Sequence, residues 1–189
     1  MQILITRHGK SKHNLGSEQE HTFAGNEIDN ELAKEGIENA RLLANKIKNL
    51  ENVNLIICSP LLRSKQTAEI IASSLNIPVV ELSELVEINV GDFKGQTEEG
   101  VRRNFPQAAE CFYSGQVEKW AFPNGESFME VSKRVDNLIE KIKILPVNKI
   151  VLAGHGMINR IIFYKLLPAR SDLWKERNYP HDRIVEINI

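Results

Sequence analysis

Short apolar runs alternate with longer amphipathic stretches along most of the chain. The short runs are rich in β-branched residues and predict buried strands, while apolar residues at helical spacing predict helices in the longer stretches. This order favours an α/β fold, specifically a three-layer α/β/α sandwich around a mostly parallel sheet. The predicted strands cover residues 2–6, 54–58, 77–82, 149–153 and, as an edge strand, 183–189; the predicted helices cover residues 30–49, 61–75, 126–145 and 157–167.

The segment that follows the third predicted strand has a different character. Residues 87–125 hold five glycines, two prolines and six aromatic residues, and they show no long periodic stretch. A segment this short buries little core of its own. We therefore expect a single domain over residues 1–189, with a small helical cap inserted at about 88–125 above the carboxyl ends of the strands.

Composition and charge narrow the class of protein. The 189 residues are 42% hydrophobic and 26% charged, which excludes a disordered, collagenous or coiled-coil chain. The net charge of -1 supplies no basic field to hold a polyanion, and no recognition motif is present. Nucleic acid is therefore not an expected partner.

Cysteine usage and the apolar runs predict a cytoplasmic protein. Cys58 and Cys111 belong to no C-x-x-C pair or metal-spaced cluster, which favours two free thiols in a reducing compartment. The apolar stretch at residues 1–6 is too short for a signal peptide. No run approaches the roughly 18 apolar residues of a membrane span, so no membrane partner is expected.

Two predicted strands end in a His-Gly pair, at His8-Gly9 and His155-Gly156. Ligands of open α/β sheets bind at the carboxyl ends of the strands, and glycine lets the backbone turn sharply there. A lone histidine at such a place is usually structural. Two of them in the same context favour a site.

Arg7 and Arg63 add charge to the same edge of the sheet. Arg7 precedes His8, and Arg63 lies in the first turn of the helix after the second strand. A single arginine at either place would usually make a surface ion pair. Two guanidinium groups that converge with two imidazoles suit the planar, multi-oxygen geometry of a phosphate, so we expect an anion site.

The motifs around these residues resemble those of a known family. The segment Arg7-His8-Gly9-Lys10-Ser11-Lys12-His13-Asn14 resembles the R-H-G-[E]-[ST]-x-x-N signature of the histidine phosphatase superfamily, the phosphoglycerate-mutase-like proteins. Further blocks follow in the family's order: Gly25, Asp29, Leu32, Gly36 and Ala40; Ser59-Pro60-Leu61 with Arg63, Thr67 and Ala68; Glu87, Gly91 and Gly95; Gly125-Glu126-Ser127; and Gly154-His155-Gly156.

The resemblance implies a role for each matching residue. His8 would be the nucleophile that forms a phosphohistidine, and Glu87 would protonate the leaving alcohol and later assist water. The phosphate oxygens would be held by Arg7, Asn14, Arg63 and His155. No metal or other cofactor is expected, because these cationic and polar groups would already neutralise the phosphate.

The resemblance also suggests supporting positions. Gly9, Ser11, Ser127 and Gly156 are candidates to support the site from its surroundings, although Glu126 and Ser127 also suit the first turn and cap of a helix. His13, His21 and His181 match no catalytic position and are interpreted as surface or cap histidines.

Several positions depart from the family pattern, and they affect the expected substrate and the choice between a phosphatase and a mutase. Lys10 replaces an acidic residue, His13 replaces an aromatic one, and an arginine common after the asparagine is missing. Val90 stands where cofactor-dependent mutases carry a tyrosine, so the phosphatase branch is favoured over a mutase. A non-catalytic module that binds a phosphorylated ligand is the third alternative, and it should have lost part of the catalytic set.

The substrate is expected to be a small phosphomonoester of unspecified class. Arg102 and Arg103 in the cap could bind a second anionic group or form an ordinary solvated pair. The sequence leaves the monomer and the homodimer open, since Trp174 and the cap aromatics suit either an interface or internal packing.

Overall fold

A five-stranded sheet in the order β3-β2-β4-β1-β5 forms the centre of the molecule. The computed structural model describes residues 1–15, 22–115, 117–176 and 179–189. The elements within these ranges are listed here in chain order. They are β1 (Gln2–Arg7), α1 (Lys34–Lys48), β2 (Leu55–Cys58), α2 (Leu62–Leu75), β3 (Val79–Glu81), α3 (Glu98–Asn104), α4 (Pro106–Tyr113), α5 (Phe128–Lys143), β4 (Lys149–Gly154), α6 (Gly156–Leu166), α7 (Ser171–Trp174) and β5 (Ile184–Asn188).

The sheet is parallel except at one edge. β4 lies between β1 and β2 and pairs with both in parallel, β3 joins β2 in parallel, and β5 runs antiparallel to β1. The mostly parallel sheet with an edge strand at the end of the chain is therefore confirmed. Its carboxyl edge collects the ends of β1, β2 and β4, which places the segments after Arg7 and Gly154 side by side.

Helices cover both faces of the sheet, as the three-layer prediction requires. Because side chains alternate along a strand, Leu4 faces α1 and α2, whereas Ile3 and Ile5 face the other way. The α1/α2 layer buries Leu43, Ala44, Ile47, Ala68 and Ile71, and the opposite layer buries Val131, Val135, Leu138, Ile158 and Ile162.

Some element bounds differ from the sequence prediction. α1 begins at Lys34 rather than at residue 30, because Leu32 forms a β-bridge with Ser11 and donates its N–H to Gln66 (2.8 Å). β3 (Val79–Glu81) is shorter than the strand predicted at residues 77–82. α7 was not predicted, since four residues are too few to show a helical period.

The cap segment is held together by aromatic side chains. α3 and α4 belong to it, together with 3₁₀ turns at Gly91–Phe93 and Val117–Lys119. Phe93 is fully buried and contacts the ring of Phe122 edge-to-face at 5.1 Å. The bounds of the cap and the single-domain organisation remain predictions.

The two cysteines differ in exposure, and the helices were also compared with the length of a membrane span. Cys58 is buried and Cys111 is exposed, and both are free thiols. Burial raises the pKa of the Cys58 thiol to about 12, so this thiol is inert at ordinary pH. Within the described ranges, no helix combines the length and hydrophobicity needed to cross a membrane.

Candidate active site

Two neighbouring parallel strands deliver two histidines to one point. Arg7 pairs with Gly154 in the β1–β4 register, and the His8 N–H donates to the Gly154 carbonyl at 3.0 Å. His8 and His155 then follow as the next residues of the two strands. Their ring centroids lie 5.0 Å apart, and the two side chains are 3% and 0% exposed.

The hydrogen bonds of His8 define which ring nitrogen is available. Nδ1 lies 2.7 Å from the carbonyl oxygen of Gly9, which only accepts, so Nδ1 carries the proton. Nε2 therefore holds a lone pair, and it accepts a bond from Nε of Arg63 at 3.3 Å. The Gly9 N–H in turn donates to Thr67 Oγ1 (3.0 Å), which ties the loop to α2. This tautomer is the one that a nucleophilic Nε2 requires.

Arg63 is buried and tightly placed. It is the second residue of α2, and its guanidinium donates to the carbonyl oxygens of Ile28 (2.6 Å) and Gly25 (3.1 Å). Asp29 lies 3.8 Å from Arg63 Nη1 and also accepts from the Leu62 N–H at the start of α2. Burial lowers the pKa of Arg63 from its usual value, but a guanidinium remains charged throughout the working pH range.

Several polar atoms at this point lack partners. Within the described part of the chain, Nε of Arg7 and both ring nitrogens of His155 are buried and make no hydrogen bond. Arg7 uses Nη1 to donate to the Tyr179 carbonyl at 3.0 Å, and burial lowers its pKa to about 10. A buried donor without an acceptor costs about 1–3 kcal/mol. Such a cluster next to the His8 ring is the arrangement that an oxyanion would satisfy.

Glu87 lies at the amino end of α6, which begins directly after His155. Its Oε1 accepts from the N–H groups of Ile88 and Ile158 (3.0 Å each), and its Oε2 accepts from the Met157 N–H (3.1 Å). These bonds fix the plane of the carboxyl group. Glu87 also lines the cleft above His8, although only 8% of the residue is exposed.

The cleft above His8 has a volume of about 720 Å³. The cap supplies one wall, on which Arg102 lies 4.1 Å above the Tyr113 ring and donates to Glu98 at 2.6 Å. Arg103 is exposed and does not line this cleft. The opposite wall carries Arg7, His8, Ser11, His13, Asn14, Arg63, Glu87 and Gly156.

Among Asn14 and the candidate supporting residues, some lie at the cleft and one does not. Asn14 Oδ1 accepts from the backbone N–H and hydroxyl of Ser11 (3.1 and 2.9 Å), which folds the loop after His8. Gly156 lies beside the Arg7 guanidinium. Ser127, by contrast, caps α5 in a reciprocal pair with Glu130 and does not line the cleft. The structure thus shows the helix-cap role of Ser127, and its role as a supporting residue of the site stays a prediction.

His181 was not recognised from the sequence as part of the site. Its Nδ1 lies 2.6 Å from the His8 carbonyl oxygen, and its ring is 5.4 Å from that of His8. The interpretation of His181 as a surface or cap histidine is wrong, because β5 runs antiparallel to β1 and so starts where β1 ends. The predicted edge strand at residues 183–189 was the sequence signal that could have placed His181 near His8.

The other two histidines that match no catalytic position are His13 and His21. His13 lines the cleft and contacts the Thr22 carbonyl at 2.7 Å, while His21 lies outside the described residues.

Three histidines of the site are held neutral by their surroundings. Burial lowers the pKa of His8 and of His155 well below the usual 6.5, and nearby cationic side chains add to the effect. Burial, with Arg7 as the next cause, lowers the pKa of His181 to about 3. A neutral imidazole keeps the nitrogen lone pair that a nucleophile requires.

These lowered pKa values predict that acid destabilises the ligand-free protein. Below about pH 6.5 the unfolded chain binds protons that the folded histidines refuse, so the free energy of unfolding falls as the pH falls through this range. Each histidine contributes at most about 1.4 kcal/mol per pH unit. Denaturant midpoints at about pH 7.5 and about pH 5.5 should differ less in His155→Asn than in the wild type; equal differences would contradict the buried neutral state of His155.

Comparison with known proteins agrees with this geometry. The chain belongs to the histidine phosphatase superfamily (branch 1), whose family model matches residues 3–189. The family resemblance seen in the motifs is thereby confirmed. The name of the family indicates phosphatase or phosphoryl-transfer chemistry.

Named relatives and a solved structure extend this comparison. The chain is 28% identical over 173 residues to an Arabidopsis thaliana protein named metal-independent phosphoserine phosphatase, with 90% of this chain and 70% of the relative covered. It is 28% identical over 175 residues to the probable phosphoglycerate mutase GpmB of Yersinia pestis, covering 91% and 78%. The structure of Bacillus stearothermophilus YhfR superposes with a TM-score of 0.83 at 25% identity, covering 100% of this chain and 91% of that one.

Proposed function

We propose that this protein hydrolyses small phosphomonoesters through a phosphohistidine on His8. The observation that carries the proposal is the set of buried, unpartnered nitrogens of Arg7 and His155, found within the described residues close to the His8 ring. Phosphate oxygens are the acceptors that would satisfy them, and Arg63 adds a second guanidinium. We also propose that Asn14, which lines the same cleft, helps to bind the phosphate oxygens.

In the first step, the lone pair on His8 Nε2 attacks phosphorus as the bond from phosphorus to the ester oxygen breaks. Glu87, in its protonated form, gives its proton to the departing alcohol. The Gly9 carbonyl oxygen accepts a hydrogen bond from the Nδ1–H of His8 (2.7 Å). This bond stabilises the positive charge that the ring gains, and the proton stays on Nδ1. The products are the alcohol and a phosphohistidine.

In the second step, water attacks the phosphohistidine. The Glu87 carboxylate takes a proton from the water as its oxygen bonds to phosphorus, and the nitrogen–phosphorus bond breaks toward His8. Orthophosphate leaves, and His8 and Glu87 return to their starting forms. Arg7, Arg63 and His155 hold the phosphoryl oxygens throughout, so the protein contributes mainly positioning and electrostatic stabilisation.

Charge balance supports a reaction without a metal ion. A phosphomonoester carries up to two negative charges near neutral pH, and the guanidinium groups of Arg7 and Arg63 match them. The Arabidopsis relative is named as metal-independent, which agrees with this proposal. Cytoplasmic location and the choice between monomer and homodimer stay predictions.

Replacing Arg63 tests the anion site directly. In excess chelator, Arg63→Met should hydrolyse p-nitrophenyl phosphate about 10²–10³-fold more slowly than the wild type, since one transition-state donor is lost. Lys65→Met is the matched control, because Lys65 lies on the same helix, has a side chain that is 42% exposed and pairs with Glu81. Wild-type activity that disappears with chelator, or an Arg63→Met variant as active as the control, would overturn the proposal.

Phosphoryl transfer between hydroxyl groups is the second candidate function, because the Yersinia relative is named as a probable mutase. A mutase must return the phosphoryl group to an alcohol and keep water away from the intermediate. Product analysis with a phosphoglycerate substrate distinguishes the two functions: hydrolysis releases orthophosphate, whereas a mutase produces the isomeric ester.

A further inference from the structure

A partly buried ion pair holds the loop that carries Glu87. Arg134, on α5, donates Nη1 to the carbonyl oxygens of Glu84 (2.9 Å) and Val86 (2.6 Å). Its Nε and Nη2 form a fork on the carboxylate of Glu126 at 3.0–3.1 Å. The side chains of Arg134 and Glu126 are only 20% and 23% exposed. The guanidinium therefore satisfies two loop carbonyls and one carboxylate at once.

Glu126 forms hydrogen bonds to the same loop on the other side of Glu87. Its Oε2 accepts the N–H of Asn89 at 2.7 Å, and its backbone N–H donates to the Asn89 carbonyl at 2.8 Å. The backbone is thus held at Val86, immediately before Glu87, and at Asn89, two residues after it. The backbone on both sides of the acid is fixed by one ion pair that does not line the cleft.

We infer that Glu126 and Arg134 are positioning residues for the acid–base group Glu87. This inference rests on the proposed function, in which Glu87 protonates the leaving alcohol. The α6 amides of Met157 and Ile158 fix the carboxyl group itself, and the ion pair fixes the backbone from which it extends. A displacement of about 1 Å at such a group costs on the order of 10²-fold in rate.

The nature of the leaving group separates positioning of the acid from general support of the fold. A nitrophenolate leaves without a proton, whereas an alkoxide needs one, so only an alkyl phosphate depends strongly on Glu87. Loss of overall structure would slow both substrates alike. The ratio of kcat/KM for β-glycerol phosphate to that for p-nitrophenyl phosphate is therefore the readout.

The test compares four variants with the wild type. Glu87→Gln removes the acid, Arg134→Met removes the fork, and Glu126→Gln keeps its shape but loses its charge. Lys141→Met is the matched control, because Lys141 also extends from α5 to this loop but donates to the Glu84 side chain (2.5 Å) and not, within the described residues, to the loop backbone. Thermal unfolding of each variant identifies any that does not fold.

We expect Glu87→Gln and Arg134→Met to lower the ratio by about 10²-fold, Glu126→Gln to lower it less, and Lys141→Met to leave it unchanged. If Arg134→Met does not fold, Glu126→Gln provides the same comparison. A lowered ratio in Glu87→Gln with an unchanged ratio in the Arg134 and Glu126 variants would overturn this inference alone. An unchanged ratio in Glu87→Gln would overturn the acid role of Glu87, and this inference with it.

Discussion

Replacing His8 with alanine is expected to lower the turnover of p-nitrophenyl phosphate by roughly 10⁴-fold or more. The variant loses Nε2, which is the atom that would bond to phosphorus and which now faces Arg63 at 3.3 Å. Arg7, Arg63 and His155 would still bind the phosphate, so KM should change far less than kcat. Steady-state kinetics in excess chelator measure both parameters.

His13→Ala is the matched control for this prediction. His13 is a second histidine of the same cleft, but its ring contacts the Thr22 carbonyl instead of the two arginines. Its loss should change kcat by less than about tenfold, since no step of the reaction passes through it. A His8→Ala variant that keeps a turnover similar to that of His13→Ala would refute the assignment of His8.

The second large effect is expected at Gly36, where α1 meets the loop after β1. A methyl group added at Gly36 would lie 1.9 Å from the Lys10 carbonyl oxygen, and one added at Gly9 would lie 2.2 Å from the Gly36 carbonyl oxygen. Both contacts are with backbone, which cannot move aside as a flexible side chain can. Alanine usually stabilises a helix relative to glycine by up to about 1 kcal/mol, but here the overlap should dominate.

We therefore expect Gly36→Ala to lower the free energy of unfolding by about 3 kcal/mol and to reduce activity, because the displaced loop carries His8. Gly100→Ala is the control: Gly100 also lies in the first turn of a helix, but its nearest neighbours are the side-chain atoms Gln96 Oε1 (3.1 Å) and Thr97 Oγ1 (3.4 Å). Its stability should change by less than about 1 kcal/mol. Denaturant unfolding measures both variants, and equal stabilities would contradict the close approach.

The sheet and the position of the two histidines could be predicted because both depend on local patterns. The runs that became β1 and β4 have uninterrupted apolar centres, at residues 3–5 and 150–153, which is typical of strands buried on both faces. Parallel strands share one carboxyl edge, so His8 and His155 had to meet once β1 and β4 paired. The position of Arg63 could be predicted in the same way, since it lies in the first turn of the helix after β2.

The rest of the site depends on contacts between segments that are distant in sequence. His181 reaches His8 only because β5 pairs antiparallel with β1, and 173 positions separate the two residues. Arg134 lies 48 positions from the Val86 carbonyl that it binds. Neither contact leaves a periodic signal in the sequence. Ser127 could not be assigned from the sequence alone, because a helix cap and a supporting position at the site have the same sequence pattern; the structure shows the cap.

The central claim is the covalent phosphohistidine on His8, and trapping it is the most direct test. Enzyme mixed with p-nitrophenyl phosphate would be quenched within milliseconds in alkali, where phosphohistidine survives, and its intact mass and peptides measured. We predict a transient gain of one phosphoryl group on the peptide that contains His8, and no gain in His8→Ala. Steady turnover without any phosphoenzyme, or a phosphoryl group on a different residue, would contradict the mechanism.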